Sequence, residues 1–324
     1  MKAIICTKYG SPQVLQMQDV PKPAPKDHEA LIKNVATTVT VADCRVRGFD
    51  VPASFWLPAK LALGFSKPRQ PILGNELSGI VEAVGKKVSR FKVGDKVFAF
   101  SAHKFGAYSE YTCVDENACI ALKPENMSFE QSAALSFGGI TALHFLRKAN
   151  IAQGDKILIY GASGSVGTYV VQIAKFLGAE VTGVCSSGNL ELVRTLGADS
   201  VVDYTVSNIA ELSDKFDVIF DTVGKMDGAQ FLKIIKPGGR YIHLVAPLLT
   251  ALKIRLQLLS SKIKFVGGTY QATTEHINAI KKMAEYSVIK PVIDRQYSFD
   301  EIASAHEYVD KGHKKGNVTI RIID

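Results

Sequence analysis

Short apolar runs separated by turn residues make up the beginning of the chain. The segments AIICTKY, EALIKNVATTV and LSGIVEAVG are rich in apolar residues, and DKVFAF follows the turn Gly94-Asp95. Runs of this length, bounded by turn residues, are typical of strands. The pattern predicts a compact, mostly β domain over residues 1–122.

Helical patterns begin after this region. Ser128 opens the motif S-F-E-Q ahead of an apolar run, which resembles a capping box. The residues that follow, 131–150, predict a helix interrupted near Gly138-Gly139.

Strands and amphipathic helices alternate from Lys156 onward. The predicted strands are KILIYG, EVTGVCS, SVVDY, FDVIFDTVG and GRYIHLV, with helices over 168–177 and 190–196 and an edge strand over 264–268. Such alternation predicts βαβ units, and therefore a doubly wound parallel sheet, over residues 123–269. The remaining segment, 270–324, predicts a helix, a second helix over 298–311 and a terminal strand, NVTIRII. We expect this strand to return to the first domain, which would then consist of 1–122 and 270–324.

Composition narrows the class of protein. The chain has 324 residues, 47% hydrophobic and 22% charged, with a net charge of +8, and this length suits about two domains. The basic residues are scattered, which argues against nucleic-acid binding. Five widely spaced cysteines without a C-x-x-C motif favour a reducing compartment, and the N-terminus lacks the apolar core of a signal peptide. We therefore expect a cytoplasmic protein without a membrane span.

The segment KILIYGASGSVGTYVVQIAKFLG carries the clearest candidate chemistry. A predicted strand leads into a glycine-rich turn and then directly into a helix, which is the context that a dinucleotide site requires. Gly164 would let the backbone approach a pyrophosphate, and the helix N-terminus would attract its charge. Ala162 replaces the first glycine of the usual motif, and no P-loop lysine is present. The predicted phosphate contacts are Ser163, Gly164, Ser165, Val166 and Gly167.

The end of the next strand predicts which nicotinamide cofactor binds. NAD sites usually place a carboxylate there, on the ribose 2′-hydroxyl. Here the strand ends in Ser186-Ser187-Gly188-Asn189, which contains hydroxyls and an amide but no acid. These groups can donate to a 2′-phosphate, so Ser186 and Asn189 predict NADP(H). The alternative is a polar turn that caps the next helix.

Several motifs in the same order resemble one family. They are the opening MKAIICTKYGSPQVLQMQDVPKPAPKDHEALIK, then PILGNELSGIVEAVGKKVSRFKVGDKV, FGAYSEY, GGITALHFL, GASGSVGT, LGADSVVDY, FDVIFDTVG and KKGNVTIRI. Together they resemble the zinc-independent quinone oxidoreductase (zeta-crystallin-like) branch of the medium-chain dehydrogenase/reductase superfamily. The resemblance implies an α/β fold, a Rossmann doubly wound parallel sheet plus a GroES-like β-rich catalytic domain, with the active site in the cleft between them. Because relatives are often dimers, it also implies a homodimer.

The resemblance also allows a comparison with the zinc ligands of related enzymes. Zinc-dependent relatives place a cysteine where this chain has Thr40 and a histidine where it has Asn75, and neither replacement is a plausible zinc ligand. Only Cys113 and Cys119 fall in the region of their structural zinc lobe. We therefore expect no metal.

On the substrate side, the resemblance implies Thr40, Asp43 and Arg45. Arg45 could stabilise a developing enolate or quinol oxyanion, or it could be a surface residue or pair with Asp43. Asp43 could be structural, and water could supply the proton. On the cofactor side, the resemblance implies a set of contacts, each with an alternative as a core or turn residue: Thr141, Asn189, Tyr204, Val223, Leu244, Val245 and Asn317.

The insert from Val51 to Gln70 is unusually apolar and contains Trp56, with Phe55 and Phe65. It could be a wall or lid for a hydrophobic substrate, or a subunit contact.

The sequence thus predicts an NADPH-dependent oxidoreductase that transfers hydride to quinones or α,β-unsaturated carbonyls without zinc. The alternatives are a reductase of simple aldehydes or ketones and a non-catalytic NADPH-binding sensor or RNA-binding protein.

Overall fold

The computed structural model describes residues 1–51, 56–101, 104–224, 226, 228–244, 252, 254, 258 and 261–323. The chain packs as two compact units. Unit 1 is Met1–Phe137 with Ala272–Glu285 and Ile293–Asp324, and unit 2 is Gly138–Gln271 with Tyr286–Val292. The domain limits expected from the sequence, 1–122 with 270–324 and 123–269, stay a prediction.

The elements are numbered in chain order. The strands are β1 (Lys2–Cys6), β2 (Leu15–Asp19), β3 (Glu29–Val39), β4 (Glu76–Val84), β5 (Lys96–Phe100), β6 (Tyr111–Asp115), β7 (Ile120–Leu122), β8 (Lys156–Tyr160), β9 (Glu180–Cys185), β10 (Ser200–Asp203), β11 (Phe216–Asp221), β12 (Ile235–His243), β13 (Lys264–Gly267), β14 (Ile293–Ser298) and β15 (Asn317–Arg321). The α-helices are α1 (Val41–Gly48), α2 (Trp56–Leu63), α3 (Phe129–Lys148), α4 (Ser165–Phe176), α5 (Leu190–Thr195), α6 (Gly228–Ile234), α7 (Thr274–Glu285) and α8 (Ile302–Asp310).

Unit 1 is the β-rich unit. Within the described residues its main sheet has the order β14-β15-β3-β4-β5-β7, while β6 also pairs with β3, and β1 pairs with β2. Alternating apolar positions bury Ile32, Leu77 and Val97 in one cluster. The terminal strand β15 runs antiparallel to β3, with Val318 opposite Val39. The chain end therefore returns to the β-rich unit, as the sequence predicted.

Unit 2 holds a parallel sheet with the order β10-β9-β8-β11-β12-β13 in the described part. From β8 the chain moves outward through β9 and β10, then continues on the other side of β8 with β11. The strand order therefore reverses beside β8, and ligands of such sheets bind outside the carboxyl ends at this reversal. Leu158, Ile219 and Phe231 lie in its buried core. The α/β fold class is confirmed.

Helices α3 and α4 differ from the sequence-based expectation near the glycines. Helix α3 continues through Gly138 without the predicted interruption. A Cβ at Gly138 would lie 2.8 Å from the Tyr169 ring, so this glycine permits close packing rather than breaking the helix. Helix α4 begins at Ser165 rather than at 168, because the turn residues themselves form its first turn. No helix in the described ranges is long and apolar enough to cross a membrane.

Candidate functional site

The glycine-rich turn connects β8 to α4 at the strand reversal of unit 2. Gly161 has a φ of +82°, which favours glycine, and Gly164 is the N-cap of α4. A Cβ at Gly167 would lie 2.1 Å from the Gly161 carbonyl oxygen, whereas one at Gly164 would make only an ordinary contact of 3.4 Å with that atom. The fold therefore requires glycine at 167 but not at 164. Gly164 instead leaves room for a ligand at the start of α4, where the helix dipole favours anions.

The loop after β9 meets this turn. The Asn189 amide nitrogen donates to the Ser163 hydroxyl at 3.1 Å and to the Ser186 hydroxyl at 3.2 Å. The structure thus brings three of the predicted cofactor residues together. The Asn189 Oδ1 is buried and has no partner among the described residues. A buried acceptor normally has a donor, and a ribose hydroxyl could supply one.

A carboxylate that the sequence reasoning missed lies beside this loop. Asp203 ends β10, opposite Cys185 of β9, and accepts hydrogen bonds from the Ser187 hydroxyl and from the backbone N–H of Thr205 (2.9 Å). These bonds lower the pKa of Asp203, and the bond from Ser187 has the largest effect. Asp203 therefore carries a negative charge at neutral pH. The next residue, Tyr204, has an exposed ring available for a ligand.

The carboxyl ends of β11 and β12 lie on the same edge of the parallel sheet as the turn. A Cβ at Gly161 would lie 2.5 Å from a Val223 side-chain carbon, so Val223 adjoins the glycine-rich turn. The Leu244 N–H donates to the Asp221 carbonyl at 3.3 Å, which holds Leu244 at the end of β12. Val245 lies outside the described residues.

Two further predicted cofactor residues lie elsewhere. Thr141, on α3, shares a hydrogen bond of 2.7 Å with the Tyr270 hydroxyl. Asn317 begins β15 and belongs to unit 1. The roles of Thr141 and Asn317 toward a cofactor stay predictions.

His243 is a second residue that the sequence reasoning missed. It ends β12 opposite Asp221, is buried, and its Nδ1 has no partner in the described part of the chain. Burial lowers the pKa of His243, although the Asp221 carboxylate opposes this effect. We therefore expect a neutral imidazole at the carboxyl edge of the sheet.

In unit 1, Thr40, Asp43 and Asn75 form a buried polar cluster. Thr40 is the N-cap of α1, and its N–H and hydroxyl donate to the Asp43 carboxylate at 2.9 and 2.6 Å. The Asp43 N–H donates back to the Thr40 hydroxyl, which completes a capping box. The Asn75 amide donates to the other Asp43 oxygen at 3.0 Å. Asp43 thus caps α1 and holds the Thr40 and Asn75 side chains, and its role toward a substrate stays a prediction.

Burial raises the pKa of Asp43 to about 6, although hydrogen bonds from Thr40 oppose the shift. Behind Asp43 the Tyr108 hydroxyl lies 3.1 Å from the His306 Nε2, and the Cys44 sulfur lies 3.3 Å from the His306 Nδ1. Burial lowers the pKa of His306 to about 3, so the ring is neutral, with one nitrogen as donor and the other as acceptor.

Arg45 does not join this cluster. Its side chain is exposed, and no ion pair links it to Asp43 among the described residues. Residues two apart on a helix point in different directions, so α1 buries Asp43 and leaves Arg45 in solvent. The buried arginine of α1 is Arg47, which pairs with Asp310 at 2.8 Å.

Glu76 is a buried carboxyl next to Asn75 that the sequence reasoning also missed. It accepts hydrogen bonds from the Thr38 hydroxyl and from the Phe137 N–H (2.6 Å). Burial raises the pKa of Glu76 to about 7, with Thr38 opposing the shift.

Replacing Glu76 with glutamine should change how stability depends on pH. The pKa of Glu76 in the folded protein, about 7, exceeds its ordinary value of 4.5, so the folded state binds this proton more tightly than the unfolded state. The contribution of the protonated Glu76 carboxyl to the free energy of unfolding is complete below pH 4.5 and is lost as the pH rises through 7. Relative to Glu76→Gln, the wild-type free energy of unfolding should rise by about 3 kcal/mol on acidification through this window. Denaturant unfolding at several pH values measures it, and parallel curves would contradict the assignment.

No group of three or more His, Cys, Asp or Glu side chains is arranged to hold a metal ion within the described residues. All five cysteines are free.

Comparison with known proteins identifies the family. Residues 26–124 match the family described as "Alcohol dehydrogenase GroES-like domain", and residues 196–320 match "Zinc-binding dehydrogenase". The 2-methylene-furan-3-one reductase of Solanum lycopersicum is 34% identical over 337 aligned residues, which cover 100% of this chain and 79% of the relative. The chain belongs to the quinone oxidoreductase branch of the medium-chain dehydrogenase/reductase superfamily.

Other members support this placement. The NADPH-dependent alkenal/one oxidoreductase of Arabidopsis thaliana is 32% identical, covering 99% of this chain and 79% of the relative. The structure of a quinone oxidoreductase from Coxiella burnetii superposes with a TM-score of 0.88 at 28% identity, covering 100% of this chain and 99% of that one. The protein is therefore an oxidoreductase of this family.

A nicotinamide cofactor follows from this membership, and the residues of unit 2 fit one. The space at Gly164, the start of α4 and the unpartnered Asn189 Oδ1 match a phosphate and a ribose. At the two positions where the resemblance implies zinc ligands in other members, Thr40 and Asn75 instead hydrogen-bond to Asp43. Zinc independence at this site stays a prediction, which activity in the presence of a chelator would test.

Proposed function

We propose that this protein is an NADPH-dependent reductase that transfers hydride to a quinone or to the β-carbon of an α,β-unsaturated carbonyl, without zinc. The main support is the Ser163, Ser186 and Asn189 cluster at the glycine-rich turn. The two serine hydroxyls accept from the Asn189 amide, so their own protons can be donated to a 2′-phosphate. The names of two relatives, an alkenal/one oxidoreductase and a quinone oxidoreductase, support the substrate class.

The proposed cofactor site uses the predicted residues of unit 2. The turn from Ser163 to Gly167 would hold the pyrophosphate at the start of α4, where the helix dipole favours anions. The Gly164 N–H itself donates to the Gly161 carbonyl at 3.1 Å, so Gly164 contributes space rather than a donor. Ser186, Asn189 and Tyr204 contact the adenine-side ribose and its phosphate. Val223 and Leu244 would pack against the nicotinamide, which would supply the hydride when the cofactor is bound. The Asp203 carboxylate opposes a 2′-phosphate, so we expect a moderate rather than absolute preference for NADPH.

We propose that Thr40 donates the proton and that Asp43 replaces it. When Asp43 is ionised, the Thr40 hydroxyl donates to the carboxylate. When Asp43 is protonated, it can donate to the Thr40 oxygen, so the Thr40 hydroxyl is free to donate to an enolate or quinol oxygen. Transfer of the Thr40 proton to that oxygen, with the Asp43 proton moving to Thr40, leaves a neutral product and an Asp43 carboxylate. The exposed Arg45 has no part in this step, and water is the competing donor.

We also propose a homodimer in a reducing compartment, the cytoplasm. Family membership supports the homodimer. The five free cysteines support the reducing compartment.

The function is tested by NADPH oxidation at 340 nm, with NADH in parallel. The acceptors are 1,4-benzoquinone, a long-chain 2-alkenal, a vinyl ketone and a saturated aldehyde, each with and without a chelator. We expect chelator-resistant turnover of quinone or enone, with the higher kcat/KM for NADPH. Turnover of the saturated aldehyde alone would favour the simple carbonyl reductase. Binding of NADPH without any turnover would favour a sensor, and chelator inhibition would overturn zinc independence.

A further inference from the structure

Helix α2 is apolar around its circumference, yet none of its residues is buried. Its sequence, WLPAKLAL, contains one charge, Lys60. Trp56, Leu57 and Leu61 are 51%, 57% and 54% exposed, and Phe65, just beyond the helix, is 60% exposed. Helices that are apolar all round are normally buried, and contiguous exposed apolar side chains mark binding surfaces. We call Trp56, Leu57, Leu61 and Phe65 the α2 face.

The single charge of the helix is directed inward. The Lys60 ammonium lies 4.0 Å from the centre of the Phe49 ring and 4.5 Å from that of Tyr9, and it donates to the Phe65 carbonyl. The Tyr9 hydroxyl donates to the Gly64 carbonyl at 3.0 Å. These contacts attach α2 to unit 1 and position Lys60 over aromatic rings. The α2 face is therefore held in a defined position, although the part of the chain that the structure describes leaves it exposed.

The charges near the α2 face in the sequence are mostly basic. No acidic residue occurs between Asp50 and Glu76, and Glu76 is buried. Lys67 and Arg69 are exposed within this stretch, and the Arg69 N–H donates to the Leu63 carbonyl at the end of α2 (2.6 Å). Lys8, next to Tyr9, is also exposed, while Asp50 is the one exposed acid of the preceding segment between α1 and α2. An apolar patch with basic neighbours complements an anionic lipid surface.

We propose that the α2 face, with Lys67 and Arg69, binds the surface of a lipid bilayer that contains anionic headgroups. Trp56 and Phe65 enter the boundary between headgroups and acyl chains, and the two cations contact the headgroups. A second copy of the chain is a poorer occupant. In a twofold contact through this face, Lys67 and Arg69 of one copy would lie near the same cations of the other, and Asp50 is the one exposed acid close to them in the sequence.

Trp56 is the only tryptophan, so its fluorescence reports on this face without a label. We would add the full-length protein to phosphatidylcholine vesicles with or without phosphatidylglycerol, and with brominated acyl chains as quenchers. With phosphatidylglycerol, we expect a blue shift of the emission, quenching by the brominated chains, and loss of both at high salt. Phosphatidylcholine alone should leave the emission unchanged.

Variants separate the apolar contribution from the charged one. Leu61→Gln with Phe65→Gln should weaken vesicle partitioning by about tenfold or more, and so should Lys67→Gln with Arg69→Gln. The matched control is Phe176→Gln, because Phe176 is 59% exposed in unit 2, and it should partition like the wild type. Thermal unfolding of each variant shows that the fold is retained.

Three results would overturn the proposal. The first is an emission that vesicles do not change, and the second is an equal response to both vesicle types. The third is a blue shift that grows with protein concentration in the absence of lipid, which would assign the α2 face to a second copy.

Discussion

Gly164→Ala is expected to weaken NADPH binding by about ten- to hundredfold and to leave the free energy of unfolding nearly unchanged. A methyl group at 164 meets only one ordinary protein contact, at 3.4 Å, and the φ of −79° suits alanine. It would therefore occupy the space that we assign to the pyrophosphate. Losing one charge-assisted hydrogen bond costs about 1.5–3 kcal/mol, which corresponds to the expected loss of affinity. Calorimetric titration with NADPH measures the affinity.

Gly167→Ala is the matched comparison for this variant. Its methyl group would lie 2.1 Å from the Gly161 carbonyl oxygen and 2.9 Å from the Ala162 backbone, which cannot move without distorting the turn. We expect the free energy of unfolding to fall by about 3 kcal/mol. If Gly164→Ala destabilised the fold as much as Gly167→Ala, or if it bound NADPH normally, the phosphate site would be assigned wrongly.

The order of strands and helices could be predicted because periodicity is a local property of the sequence. The strand, turn and helix around Gly161 and Gly167 carry their own conformational requirements, a positive φ and a close backbone approach, so a short segment was enough. The predicted interruption of α3 was wrong because the sequence alone does not show whether a glycine such as Gly138 breaks a helix or packs closely against another residue. The Tyr169 ring that requires a glycine there lies on another helix.

The parts of the site that were missed depend on tertiary neighbours. Asp203 lies outside the loop that predicted NADP(H), and only the pairing of β9 with β10 brings it to Ser187. Glu76 follows Asn75 in the sequence, but nothing local shows that burial would raise its pKa. Helical periodicity alone, by contrast, could have separated Arg45 from Asp43, because residues two apart on α1 do not share a face.

Asp43→Asn is expected to lower kcat for enone or quinone reduction by about hundredfold or more, because an amide cannot replace the Thr40 proton. The amide group introduced at position 43 would also face donors from Thr40 or Asn75, so the free energy of unfolding should fall by about 1–3 kcal/mol. Affinity for NADPH should not change, since the proposed cofactor contacts of the glycine-rich turn lie in unit 2. Steady-state kinetics, denaturant unfolding and cofactor titration measure the three quantities.

The pH profile separates proton supply from helix capping. If Asp43 replaces the proton of Thr40, wild-type kcat should decrease above about pH 6, where the Asp43 pKa lies, and this decrease should disappear in Asp43→Asn. Thr40→Ser keeps the hydroxyl and should retain most activity, whereas Thr40→Val removes both the cap and the donor. A variant Asp43→Asn that loses stability but keeps the wild-type kcat and pH profile would restrict Asp43 to capping α1. Water would then be the proton donor, and Thr40 would only help to orient the substrate oxygen.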